Sequence, residues 1–154
     1  MTLDELLDAW RLNNALNLEL LDLVEDDWMD LKPGSGKTIR SSFTHLVSVR
    51  KMWAEEKLAK EAAAIPKLDW KTASRSEIRD GLQISSDLMI ELLKRRGTAA
   101  KPSKWSLPLF FAYCIAHEAH HRCQIEIALR IGGHEPDDKV LYGLWEWDKK
   151  QISS

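Results

Sequence analysis

The sequence has few of the residues that mark disulfide-rich, disordered or membrane-spanning chains. Among 154 residues there are 7 glycines, 5 prolines and 2 cysteines, which argues against a disulfide framework and against a low-complexity chain. No apolar run approaches the roughly 20 residues that cross a bilayer. The first residues carry acids and do not resemble a secretory signal. These absences predict a reduced, cytoplasmic protein with a single domain over residues 1–154.

Excess positive charge is also missing. The formal net charge is -2 and no dense lysine or arginine stripe is present, which argues against nucleic-acid binding. The stretch GSGKT (residues 34–38) resembles a phosphate-binding loop. However, Leu31 stands where that motif needs glycine, and no strand precedes it. We interpret the stretch as a turn followed by a helix cap at Thr38.

Four segments show helical periodicity, and each is followed by a clear break. They run from about Thr2 to Val24, from about Thr38 to Ala63, from Ser74 to the stretch 95–104, and from about Leu107 to Ile131. The two cysteines, Cys114 and Cys123, would lie ~13 Å apart on the fourth helix and could not pair. The predicted fold is all-α: a four-helix bundle with a short C-terminal element packed on it.

Helical wheels assign an inner face to each segment. The second is predicted to bury Leu46, Val49, Met52 and Trp53, and the third to bury Ile78, Leu82, Ser85, Met89 and Leu92. Asn13 and Asn17 fall within the apolar arc of the first segment. Because buried amides cost stability unless they have partners, these two residues indicate either a polar pocket or a solvated end of the bundle.

The stretch HEAHHRCQ (residues 117–124) contains H-E-x-x-H, a zinc signature in which the glutamate is the general base. His117 and His121 lie one turn apart on the inward arc, a spacing that suits a shared metal. His120 is about 100° away from His121 and is the least suited of the three. Upstream, His45 falls on the flank of the second inner face. These residues form either a three-histidine metal site or a set of hydrogen-bonded core histidines.

His45 and the stretch AHEAHHRCQIEIALRIGGHEPDD (residues 116–138) resemble the DinB/YfiT-like superfamily of bacterial metal-binding four-helix bundles. The last helix of that family typically reads H-x-x-x-H-R-G-Q and leaves through a glycine and a PD-like exit. The resemblance implies that His45, His117 and His121 hold a divalent metal, zinc or nickel, with an open side. Cys123 replaces the usual glycine and projects outward on the wheel. The resemblance also implies a homodimer that acts on a small molecule.

The resemblance implies that the match to the H-E-x-x-H zinc signature is a coincidence. Glu118 then either orients a ligand histidine or is a solvated charge. The leading hypothesis is a metal-dependent S-transferase that uses a low-molecular-weight thiol in detoxification or stress response. Tyr113, Gln124 and Glu118 are weaker catalytic candidates, and Asn13 and Asn17 are pocket candidates. The alternatives are a metal-dependent hydrolase with Glu118 as general base, or a non-enzymatic metal-binding stress protein.

Overall fold

The computed structural model describes residues 2–100 and 104–150, which form four long helices and one short one. These are α1 (Leu3–Leu23), α2 (Ile39–Glu55), α3 (Arg75–Thr98), α4 (Leu107–Ile131) and α5 (Asp138–Gly143). Single 3-10 turns lie at Asp26–Trp28, Glu61–Ala64 and Trp147–Lys149. The described residues contain no strand, so the predicted all-α bundle is confirmed. The single domain over residues 1–154 stays a prediction. Residues 1 and 151–154, at its two ends, lie outside the described residues. Residues 101–103, in the predicted break after the third helix, also lie outside them.

Side-chain caps determine where the helices begin. Thr2 and Ser74 each form a capping box with the glutamate three residues later, which satisfies two otherwise free amides at the helix end. The Thr38 hydroxyl accepts a hydrogen bond from the Ser41 amide at 3.0 Å. The interpretation of residues 34–38 as a turn and a helix cap is therefore confirmed.

The second helix is shorter than predicted, because it ends at Glu55 and not near Ala63. After it the chain bends back and buries Leu58 and Ile65, each 1% exposed. The Lys51 ammonium donates to two carbonyl oxygens of this bend at 2.9 and 3.0 Å. Helical periodicity continues through the alanine-rich stretch, but burying these two apolar side chains requires the chain to turn.

The inner face of α2 is also rotated from the predicted one. Met52 was expected inside and is 52% exposed, whereas Arg50 is 2% exposed. A wheel places arginine outside because an unpaired buried charge is costly. Here Arg50 has a buried partner, Glu118 of α4, and turns inward. The predicted inner face of α3 is confirmed, with Ile78, Leu82, Ser85, Met89 and Leu92 all buried.

Buried apolar side chains form two separate clusters with a polar layer between them. In α1, α3 and α4, buried polar residues stand between stretches that belong to the two clusters. These residues are Asn13, Asn14, Asn17, Ser85, Ser86, Glu118 and His121. The interior therefore has an apolar part on either side of a polar layer.

A bidentate ion pair between α2 and α4 forms the centre of this layer. Arg50 Nε donates to Glu118 Oε1 at 2.7 Å, and Arg50 Nη2 donates to Glu118 Oε2 at 2.8 Å. The Asn13 and Asn17 amides donate to the same Oε2 at 2.6 and 2.7 Å. Arg122 Nη1 in turn donates to both asparagine side-chain oxygens at 2.8 Å. Arg50 Nη1 also donates to Asn14 Oδ1, Leu82 O and Ser85 Oγ.

These partners decide the ionisation of Glu118. Burial disfavours the carboxylate, but the charge and hydrogen bonds of Arg50, the hydrogen bond from Asn17 and the charge of Arg122 outweigh it. The pKa of Glu118 therefore lies below its ordinary value. A buried charge is tolerated when it is paired and its oxygens are hydrogen-bonded, and this layer meets both conditions.

The C-terminal segment packs on α1 and α4, as predicted. It encloses a cavity of about 270 Å³ with those helices, lined by Leu16, Ala119, Arg122, Cys123, Glu126, Leu144, Trp145 and Trp147. Lys150 forms an ion pair with Glu19. Within residues 2–100 and 104–150, no helix is long and apolar enough to cross a membrane.

Replacing Glu118 with glutamine is expected to lower the free energy of unfolding by about 3–5 kcal/mol. The substitution keeps the shape of the side chain but leaves Arg50 buried without a counter-charge. Urea denaturation followed by circular dichroism measures the change. Glu135→Gln is the matched control because its ion pair with Arg130 is exposed, and it is expected to change stability little. Equal losses in the two variants would contradict a central role for the buried pair.

Candidate metal centre

Three histidines from α2 and α4 converge at the edge of the polar layer. One ligand nitrogen from each of His45, His117 and His121 lies within 4.8 Å of the others. The ring centroids are 4.7 Å apart for the two pairs that include His121, and 5.4 Å apart for His45 and His117. Nitrogens bound to one tetrahedral zinc ion are about 3.3 Å apart, so small side-chain rotations would close the set. The three residues could therefore hold a metal ion.

The buried ion pair fixes the relative position of the two helices that supply these histidines. Glu118 follows His117 directly on α4, and Arg50 lies five residues after His45 on α2. When Arg50 and Glu118 meet, His45 is brought opposite His117 and His121. The Arg50–Glu118 pair thus positions the histidine cluster without contributing a ligand to it, whereas His121 belongs to both the polar layer and the cluster.

The surroundings keep the three imidazoles neutral. Burial is the largest cause and lowers the pKa of all three; the positive charge of Lys37 adds to this at His45 and His121. At His117 the nearby Glu118 charge opposes the shift but does not reverse it. The pKa of His121 falls to about 4. Neutral imidazole is the form that binds metal, so the cluster is ready for a metal at neutral pH.

Neighbouring donors lie outside the cluster. His120 is exposed, and its ring contacts the edge of His121 at a centroid distance of 5.1 Å. Cys114 is buried, and burial followed by the Glu118 charge raises the pKa of its thiol to about 12. Cys123 is exposed, as its outward position on the wheel predicts, and lines the cavity beside the C-terminal segment. Both cysteines are free.

The weaker candidates are distributed around the cluster. Tyr113 stacks on His117 at a centroid distance of 6.0 Å, and Gln124 is half-buried on α4. Asn13 and Asn17 belong to the polar layer through Glu118. The interpretation of Glu118 as a solvated charge is wrong, because it is 3% exposed. The catalytic and pocket assignments of all five residues stay predictions.

Sequence reasoning missed Arg50 and Arg122, which complete the polar layer. The available signal was the pairing of inward polar groups across segments. Asn13 and Asn17 on one predicted inner face and Glu118 near another require donors or a counter-charge. Arg50 lies within one turn of the buried Leu46 and Val47. That position would have identified it as the partner.

An open cleft and a group of packed aromatic rings adjoin the cluster. A cleft of about 560 Å³ includes His45 in its lining, together with three lysines and Trp70. On the His117 side, Tyr113 packs against Trp53 and Trp105 with centroid distances of 5.7 and 5.1 Å. The histidines therefore lie between a basic cleft and an aromatic cluster.

Purified protein supplied with zinc is expected to bind about one equivalent per chain, and His45→Ala and His121→Ala are expected to lose it. Removing either residue leaves only two imidazoles, too few for a stable site. Elemental analysis after desalting measures the stoichiometry, with His120→Ala as the matched control that keeps the metal. Retention of zinc by both ligand variants would contradict the assignment.

The metal-free protein is expected to lose stability as the pH falls from 6.5 toward about 4. The pKa of His121 drops from 6.5 to about 4 on folding, so protons bind the unfolded chain preferentially in this window. The contribution of neutral His121 is complete above pH 6.5 and is lost as the pH falls through the folded value. Melting temperatures across this range should decline more steeply for the wild type than for His121→Asn. Equal declines in melting temperature for the two proteins would contradict the lowered pKa of His121.

Comparison with known protein families agrees with this geometry. A model of the DinB family matches residues 1–151. Comparisons with curated proteins and with solved structures gave no significant match. Because the family match covers nearly the whole sequence and the three histidines meet in space, the chain belongs to the DinB family, as a DinB-like metal-binding protein.

Proposed function

We propose that this protein is a metal-dependent S-transferase that joins a low-molecular-weight thiol to an electrophile, in the cytoplasm, during detoxification or stress response. The observation that carries the proposal is the accessibility of the three-histidine cluster. His45 and His117 are partly exposed, and His45 lines the 560 Å³ cleft. Catalytic metal sites differ from structural ones in keeping one side open in this way.

The donor set fits a divalent metal with borderline-soft character. Three neutral imidazoles suit zinc and nickel, and no carboxylate joins His45, His117 and His121 in the cluster within the described residues. When bound, such an ion would supply positive charge that favours the thiolate form of a bound thiol. In the transfer, the sulfur forms a bond to an electrophilic carbon, the leaving group departs with its bonding electrons, and the thiol proton passes to water.

The protein's own residues would hold and shield the reactants. Tyr113, Trp53 and Trp105 offer apolar ring surface beside His117, which suits an electrophile with an apolar body. The cleft on the His45 side offers polar and positively charged groups. Two different surfaces on either side of one metal centre suit a reaction that brings two dissimilar molecules together.

The position of Glu118 favours transfer over hydrolysis. Hydrolysis would need a general base able to take a proton from water. Four hydrogen bonds already occupy the Glu118 oxygens, and its pKa is lowered by Arg50 and its other partners despite burial. A carboxylate in this setting is a weak base whose role is to position α4 against α2.

Zinc- or nickel-loaded protein is expected to accelerate the conjugation of a thiol to monochlorobimane, which becomes fluorescent when the sulfur displaces its chloride. The thiols tested are cysteine, coenzyme A and the other low-molecular-weight thiols of bacteria. His45→Ala and His121→Ala should fall to the uncatalysed rate because they lose the metal, whereas His120→Ala should keep the activity.

Lack of metal-stimulated conjugation with every thiol would overturn the proposal. Metal-dependent ester hydrolysis in its place would favour the hydrolase. A metal that raises the melting temperature without either activity would favour a non-enzymatic metal-binding protein.

A further inference from the structure

The cleft beside His45 concentrates positive charge that nothing in the described structure neutralises. Lys32, Lys37 and Lys67 line it, and no aspartate or glutamate is among its described lining residues. All three lysines are exposed. Among the described residues none of the three takes part in an ion pair, whereas the neighbouring Arg40 pairs with Asp30. The formal net charge of the whole chain is -2, so the cleft is positively charged on a protein that is slightly negative.

The cleft also holds hydrogen-bond donors and an apolar surface. Thr38 and Ser41 contribute hydroxyl groups at the start of α2, where the positive end of the helix dipole adds to the lysine charges. The Thr44 and Ser48 hydroxyls also line the cleft but already donate to the carbonyl oxygens of Ser41 and His45. Trp70 lines the same space and is 55% exposed. Its ring has Lys71 Nζ at 4.8 Å from the centroid. Exposed tryptophan beside lysines offers both a stacking surface and charge.

The cleft is continuous with the candidate metal centre. His45 belongs to both the cleft lining and the histidine cluster. Lys37 is close enough that its charge contributes to lowering the pKa of His45 and of His121. A molecule held by the lysines would therefore have its far end at the histidines.

We propose that this cleft binds a small organic acid with at least two negative charges and a flat or apolar part. The lysines and the hydroxyls of Thr38 and Ser41 hold the anionic groups, Trp70 contacts the flat part, and the molecule extends to the histidine cluster. A low-dielectric cleft with one sign of charge raises the local concentration of oppositely charged ligands. This proposal deepens the proposed function. It rests on that function in one respect, because it takes the bound molecule to be a substrate of the transfer.

A second cleft, beyond Trp53 and Trp105, lacks this chemistry. It measures about 300 Å³, is lined by Trp53, Glu56, Arg96, Lys104 and Trp105, and includes none of the three histidines in its lining. Arg96 there is paired with Glu56. Of these two clefts, only the one beside His45 combines several lysines, no acidic lining residue and a residue of the histidine cluster.

Isothermal titration calorimetry with isophthalate tests the proposal on metal-loaded protein at low ionic strength. The neutral isophthalamide, which has the same ring without the charges, is the matched ligand control. We expect isophthalate to bind at least about tenfold more tightly than isophthalamide. We expect the Lys32→Met/Lys37→Met/Lys67→Met variant to lose about tenfold in isophthalate affinity. Lys94→Met, which removes an exposed lysine of α3 outside the cleft, should bind as the wild type does.

His121→Ala, prepared without metal, separates the cleft from direct coordination. We expect it to retain isophthalate binding within about threefold of the wild type. Binding that disappears in His121→Ala and is unchanged in the triple lysine variant would overturn the proposal. Equal affinity for isophthalate and isophthalamide, or no binding of either, would also overturn it. Circular dichroism confirms that each variant is folded.

The same data separate this proposal from the proposed transferase. Lysine-dependent binding of isophthalate without any thiol conjugation would support the anion cleft and reject the transferase. Thiol conjugation in a protein that shows no lysine-dependent anion binding would support the transferase and reject the cleft.

Discussion

The buried ion pair between Arg50 and Glu118 is the interaction on which the arrangement of this bundle depends. It joins α2 to α4 between two apolar clusters, where sliding or rotation of either helix would leave a charge without its partner. Apolar side chains alone specify packing loosely, because many similar contacts are nearly equivalent. A bidentate pair with further hydrogen bonds from Asn13 and Asn17 is satisfied in one arrangement of the helices. Other arrangements are disfavoured because they would break the buried pair at a large cost in free energy.

The same interaction explains how a small bundle can carry a candidate metal centre on two helices. His45 comes from α2, and His117 and His121 come from α4, so the site exists only when these helices have one register. The buried ion pair fixes that register from within, and the histidine cluster adjoins it, with His45 and His117 partly exposed to solvent. Stability and site geometry thus depend on the same contact, and variants that weaken it are expected to affect both.

Much of this architecture could be predicted because it is encoded locally. Caps at Thr2 and Ser74 and the spacing of His117 and His121 are visible within a few residues of sequence, as was the start of α4. What failed required tertiary information. Arg50 is buried only because Glu118, on another helix, pairs with it. This pairing rotates α2 so that Met52 faces outward. The early end of α2 likewise depends on where Leu58 becomes buried. The charge of the cleft beside His45 is not visible in the sequence because Lys67 joins Lys32 and Lys37 only in the folded chain.

The state of Cys114 bears on the chemical durability of the protein. This thiol lies on the same helix as His117, yet with a pKa of about 12 it stays protonated under ordinary conditions. Only the thiolate is a strong nucleophile, so in the proposed transfer Cys114 would not compete with the thiol for the electrophile. Three imidazoles with an unreactive neighbouring sulfur would let a protein with that activity meet electrophiles without alkylating Cys114. Any self-modification would fall on the exposed Cys123, at the cavity beside the C-terminal segment.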